Sequence, residues 1–189
     1  MNSLQDRWLN SYSLRFQVSK TCIFAAAIFF EALYIMSQSL LLDIGNTLTK
    51  AACVENNQIA KVESIANDDL LLQWLLALPS FGRALICTVR PLPDKIGRWA
   101  KLHPLVQVLS HNTPLPFKIA YKSPDTLGPD RIALAAAAYE RFPYQNVLVI
   151  DMGSCITYDL LTAEGVYMGG AISPGIRMRF KAMNAFTAK

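Results

Sequence analysis

The sequence predicts an α/β fold made of two copies of one supersecondary plan, the second shorter than the first. Two matching strand-and-turn units carry that reading: Leu40-Leu41-Leu42-Asp43-Ile44-Gly45-Asn46-Thr47 and Val147-Leu148-Val149-Ile150-Asp151-Met152-Gly153-Ser154. In each, an apolar strand delivers an Asp, one further residue, a Gly and a small polar residue. A third observation is that each unit opens a run of strand-like segments, the first of which passes into alternating helix and strand.

Taken in order, Ser39–Ile44, Leu48–Val54 and Gln58–Ile65 read as an antiparallel meander, with Asn56-Asn57 as a hairpin turn. Asn67 or Asp68 can cap a helix over Leu70–Leu78 that stops before Pro79. Ala84–Val89 reads as a buried strand, Asp94–Leu102 as an amphipathic helix and Leu105–Leu109 as another strand. From Ser110 to Gly128, prolines and polar residues mark a long functional loop. Pro129 suits the first position of a helix continued by the alanine-rich run Ile132–Tyr139, which puts Asp130 and Arg131 in its first turn, beside unpaired amides. After Pro143 the meander restarts as Val147–Ile150, Ile156–Leu161 and Val166–Ile172, and Arg177, Arg179 and Lys181 fall on the solvated face of a closing helix.

The N-terminus stands apart. Thr21–Met36 is apolar and follows Arg15 and Lys20, as in a signal peptide, but Glu31 interrupts it and it falls short of the ~20 residues a spanning helix needs. Residues 1–35 are therefore expected to be an extension outside the functional fold, with 36–143 forming the first lobe and 144–189 the start of the second.

Composition narrows the function classes. The 189 residues are 52% hydrophobic, enough for a core, and the formal charge of +4 is spread along the chain. A nucleic-acid arm is not expected, phosphorylated or carboxylate ligands fit, and no membrane partner is expected, a membrane anchor within residues 1–35 being the minor alternative. Cys22, Cys53, Cys87 and Cys155 form no Cys-x-x-Cys pair, which excludes a zinc motif and makes a reducing cytoplasm the expected setting. His103 and His111 read as surface residues without partners.

The paired turns suit phosphate binding. Glycine lets the backbone approach a ligand, exposed amides and the Thr47 or Ser154 hydroxyl can donate to phosphoryl oxygens, and the Asp can orient a cation or its water. Two such turns imply two half-sites facing one nucleotide. Either turn alone is equally what an ordinary hairpin uses, and Asp130 alone is equally a residue that stabilises a helix dipole.

With Tyr121 and Gly128-Pro129-Asp130-Arg131 between the turns, and Gly169-Gly170-Ala171-Ile172-Ser173-Pro174-Gly175 and Thr187-Ala188-Lys189 after them, the sequence from Ser39 to Lys189 resembles the type III pantothenate kinase family. The resemblance implies duplicated ribonuclease-H-like (actin-like ATPase) lobes with the second incomplete, a homodimer, and transfer of the γ-phosphoryl group of ATP to the primary hydroxyl of pantothenate. It also implies magnesium and a monovalent cation, potassium or ammonium. By position, Asp43, Ile44, Gly45, Asn46, Thr47, Leu48, Thr49 and Lys50 would bind ATP phosphates with Ser154, and Asp151 would ligate the monovalent cation. Asp130 would be the proton acceptor, with a normal carboxylate pKa, and Tyr121, Gly128, Pro129, Asp130, Arg131 and Thr187 would hold pantothenate. Arg131 can pair with an acidic substrate's carboxylate.

Ser154 stands where the family usually has Thr, and Pro129 where it usually has Ala; the first keeps the hydroxyl and the second stiffens the helix start. The family pattern continues past Lys189 into helices and a glycine-rich segment, so a truncated chain with little kinase activity is expected. Rival expectations are a non-catalytic regulatory protein of the same lineage and a sugar or acetate kinase, against which the Tyr121–Asp130 loop argues.

Overall fold

The computed structural model describes residues 38–56 and 58–187. The expected N-terminal extension, Asn57 of the expected hairpin turn, and Ala188-Lys189 lie outside the described residues. A first sheet of five strands has the order β3-β2-β1-β4-β5, where β1 is Ser39–Ile44, β2 Thr49–Glu55, β3 Gln58–Ile65, β4 Arg83–Thr88 and β5 Val106–Val108. β1, β2 and β3 are antiparallel, whereas β4 runs parallel to both β1 and β5. Helices α1 (Asp68–Leu76) and α2 (Asp94–Lys101) make the two crossovers.

A second sheet has the order β6-β9-β8-β7, with β6 at Lys118–Ile119, β7 at Val147–Met152, β8 at Cys155–Leu161 and β9 at Val166–Pro174. Its β7, β8 and β9 repeat the opening antiparallel meander. Between the sheets runs α3 (Pro129–Arg141), and α4 (Ile176–Phe186) closes the described chain.

Burial explains why the strands read as continuous apolar runs. On β1, Leu40, Leu42 and Ile44 join Ala84, Ile86, Leu71, Leu75, Ile96 and Trp99 in one core beneath α1 and α2. Leu41, with Ala52, Val54, Leu85 and Cys87, faces the opposite way and meets α3 in a second core, which also takes in Leu161 and Tyr167 of the other sheet. The first sheet is thus buried on both faces. Helix α3 is apolar almost all round, with Ile132 through Ala136 and Ala138 buried, because it is sandwiched between the two sheets.

Local chemistry sets the helix ends. The Asn67 side chain accepts from the Leu70 amide at 2.9 Å, so Asn67 is the cap and α1 starts at Asp68, two residues before the expected start. Pro129 sits at the first position of α3.

Two expectations are corrected. The segment 110–128 is not simply a loop: Lys118–Ile119 pairs in parallel with Val166–Tyr167, and Pro124–Thr126 forms a 3-10 turn. The pairing joins this segment to the edge of the second sheet, and backbone pairing of two residues leaves no periodicity for sequence to show. The histidines are also partnered. His103 packs on Trp99 with ring centroids 4.6 Å apart and places Nδ1 2.8 Å from the Trp99 carbonyl oxygen, while His111 Nε2 lies 3.6 Å from an Asp125 carboxylate oxygen.

Candidate active site

Side-chain alternation along two strands builds the site. Asp43 shares parity with Leu41, so it leaves β1 on the face that meets α3. Asp151 shares parity with Val147 and Val149, which pack against the same core, so it leaves β7 toward α3 as well. Each Asp lies at the C-terminal end of its strand, and Asp130 lies in the first turn of α3. Lys50, directly across the ladder from Asp43, rises on the same face.

These groups lie within electrostatic reach of one another. Burial pushes the Asp43 carboxyl up to about 6, Lys50 opposes that shift, and Asp130 and Asp151 add to it. Asp151 is raised by burial and then by Asp130, again against Lys50. Asp130 is raised above the ordinary carboxylate range chiefly by burial, against the Arg131 amide and the Arg131 charge. The expectation of a normal pKa for Asp130 is therefore corrected: at the start of α3, between the sheets, desolvation outweighs the backbone amides and the Arg131 charge.

The turns are shaped as the glycines require. A Cβ on Gly45 would lie 2.9 Å from the Leu48 carbonyl oxygen, to which the Gly45 amide donates at 3.2 Å. Asn46, Thr47 and Leu48 are exposed beside a cavity of about 290 Å³ bounded also by Asn67, Asp68 and Arg90. Arg90 Nε donates to the Gly45 carbonyl at 3.1 Å and its other nitrogens pair with Asp68, which pins the turn to the start of α1. In the second turn Ser154 is exposed, and its carbonyl accepts from the Gly175 amide at 3.0 Å. A Cβ on Gly175 would come within 2.4 Å of that oxygen.

Gly128 makes room for Asp130, since a Cβ there would lie 2.3 Å from Asp130 Oδ1. That oxygen accepts from the Arg131 amide at 2.9 Å. Tyr121 lies over Gly169, which has a φ of +91° and whose added Cβ would stand 2.5 Å from the ring. The Tyr121 ring centroid is 5.8 Å from the Arg131 guanidinium.

Arg131 itself holds a finding that sequence reasoning missed. Its side chain is only 5% exposed as a residue, and Nε and Nη2 donate to Oδ1 of Asp159 at 2.8 and 2.6 Å. The guanidinium expected to meet a substrate carboxylate thus already holds an internal one. Asp159 shares parity with Leu161 and Thr157 on β8, and a charged residue in that inward row was the signal available in the sequence. Arg90 gave no comparable signal. Thr187 is exposed at the end of α4, where its hydroxyl donates to the Met183 carbonyl at 2.6 Å.

Among the described residues, no three His, Cys, Asp or Glu side chains stand close enough to hold a metal ion by themselves. The hard oxygen donors and mutually raised carboxylates nonetheless fit a cation that completes its shell with water and phosphate, the habit of magnesium.

Residues 39–189 match the sequence profile of type III pantothenate kinases. The chain belongs to that family. It is 40% identical over 153 residues to the type III pantothenate kinase of Christiangramia forsetii and 42% identical over 153 residues to that of Phocaeicola vulgatus. These alignments take in 79% and 80% of the chain, and the chain spans 63% of each relative's length. A solved Baf family protein from Campylobacter jejuni superposes with a TM-score of 0.50 at 23% identity, over 78% of this chain and 60% of that one, and shares the fold. The two meander-led sheets are the ribonuclease-H-like plan of the family, with α3 between them. Among the described residues no helix is long and apolar enough to cross a membrane.

Proposed function

We propose that the chain carries the catalytic centre for ATP-dependent phosphorylation of pantothenate to 4'-phosphopantothenate, the entry step of coenzyme A synthesis. The observation that supports this most is the convergence of Asp43 and Asp151, from equivalent ends of two repeated strands, on Asp130 at the start of α3. Phosphoryl transfer is mostly positioning and charge neutralisation, and it needs phosphate-facing amides, carboxylates for cations and one base beside the alcohol.

In this reading the turn from Asp43 to Lys50 and Ser154 hold the phosphates, Asp43 and Asp151 orient cations, and Asp130 accepts the proton. Magnesium and a monovalent cation, when bound, neutralise charge on the phosphoryl oxygens. The pantothenate oxygen forms a bond to the γ-phosphorus as the bond to ADP breaks, and the alcohol proton passes to an Asp130 oxygen. The raised affinity of Asp130 for protons suits that task better than an exposed carboxylate would. Lys50 opposes the crowding of negative charge while the phosphates are absent. Tyr121, Gly128, Pro129, Asp130 and Thr187 form the pantothenate side, with the Arg131 side chain held behind them by Asp159. A cytoplasmic homodimer is part of the same reading, carried by family membership.

The test is phosphorylation of pantothenate against acetate and common sugars, with and without potassium. Slow turnover confined to pantothenate is the expected result, since the chain spans 63% of the length of its relatives. Equal turnover of acetate or a sugar would replace the substrate assignment, and an active Asp130→Asn variant would remove the base.

A further inference from the structure

Beneath the acidic cluster lies an ion pair that the proposed chemistry does not use. Asp159 is 1% exposed, and its Oδ1 takes three donors: Nε and Nη2 of Arg131 and the hydroxyl of Tyr167. Its Oδ2 is buried and has no hydrogen-bond partner among the described residues, as is the Thr157 hydroxyl two residues away on the same strand face. Burial, followed by the hydrogen bond to Asp159, keeps the Tyr167 phenol protonated far above its usual range, so it remains a donor.

A buried pair of this kind is weak ground for stability, because desolvation offsets its attraction. What it fixes is geometry. Arg131 follows Asp130 in the first turn of α3, and its backbone amide is the donor that the Asp130 carboxylate accepts. The series of contacts runs from Tyr167 and Asp159 on the second sheet, through the Arg131 side chain and amide, to the Asp130 carboxylate. Tyr121, beside the same guanidinium and seated on Gly169, is held by that arrangement too.

We infer that Asp159, oriented by Tyr167, is the positioning residue of this site: it holds Arg131 off the acidic cluster and so fixes the carboxylate of Asp130 for its work. This rests on the reading of Asp130 as the base. Without the charge of Asp159, the guanidinium has the Asp130 carboxylate, one residue away and already within reach of its charge, as an alternative partner. Pairing there would block the base.

Asp159→Asn keeps shape and removes charge, whereas Tyr167→Phe keeps the charge and removes one donor. For Asp159→Asn, kcat per folded molecule should fall at least tenfold while KM for ATP stays within twofold. Tyr167→Phe should lower kcat two- to fivefold with the same pattern. A general structural defect would instead lower the folded fraction and leave kcat per folded molecule intact, which would overturn the inference. If Asp159→Asn does not fold, an unaltered kcat in Tyr167→Phe overturns it equally. Should the unsubstituted chain transfer no phosphoryl group, the functional reading fails separately, and side-chain NMR of Arg131 decides the positioning. Solvent exchange of Nε–H at least tenfold faster in either variant supports it, and unchanged exchange overturns it.

Discussion

Asp130 and Asp43 show how the same burial serves two residues differently. For Asp130, enclosure between the sheets raises proton affinity at the position where an alcohol proton would be taken, so Asp130→Asn should lower kcat by about 10²–10⁴-fold, the range typical of a lost general base. Steady-state turnover with pantothenate and ATP measures this, with circular dichroism confirming that the variant is folded. For Asp43, burial pushes the folded carboxyl up to about 6, above its ordinary value of about 4 in the unfolded chain. The folded state therefore binds the proton more tightly, and the stability this confers is present at low pH and lost as pH rises through 6. Asp43→Asn cannot ionise. In EDTA it should exceed the parent by up to about 3 kcal/mol at pH 7.5 and by only about 0.5 kcal/mol at pH 4. Urea unfolding at the two pH values gives the comparison, and an equal difference at both would contradict the assigned burial.

At the scale of elements, the site depends on junctions where strands and helices approach without room for a side chain. Gly169 combines a φ of +91° with a space already filled by Tyr121, so Gly169→Ala should strain the backbone and push the tyrosine away. We expect a loss of about 1–3 kcal/mol in stability. Pantothenate binding should weaken while nucleotide binding is spared, a split that calorimetric titration of the two ligands resolves. Helix α1 gives a contrasting case. Its Asn67 cap satisfies the Leu70 amide, and Asn67→Ala should cost about 1 kcal/mol by chemical denaturation. Because Arg90 joins Asp68 of α1 to the Gly45 turn, which the proposed function assigns to ATP, that loss should be accompanied by a higher KM for ATP.

For the whole molecule, α3 is the joint. It contributes the buried middle of the core shared by both sheets, while the other face of the first sheet is sealed by α1 and α2. Leu134 is buried in that shared core, and Leu134→Ala should destabilise by about 2–5 kcal/mol. The change in tryptophan fluorescence to which Trp74 and Trp99 around the first sheet contribute, measured in a Trp8→Phe background, and far-ultraviolet circular dichroism should shift together. Separate transitions would mean that the sheets fold independently and that α3 does not couple them. The outer side of the second sheet differs, with Leu148, Leu160, Met168 and Ile172 exposed.

The sequence by itself determined the repeated meanders, the two Asp-containing turns and the helix opened by Pro129, because each rests on local alternation, glycine at tight approaches or proline at a helix start. It also brought Asp43, Asp130 and Asp151 together as candidates through resemblance and duplication. Tertiary structure alone decided that Arg131 is held by Asp159, that Asp130 is desolvated, and that Lys118–Ile119 joins the second sheet. Those facts depend on contacts between residues far apart in the chain and on how much water the two sheets exclude, quantities that neither local pattern nor residue spacing encodes.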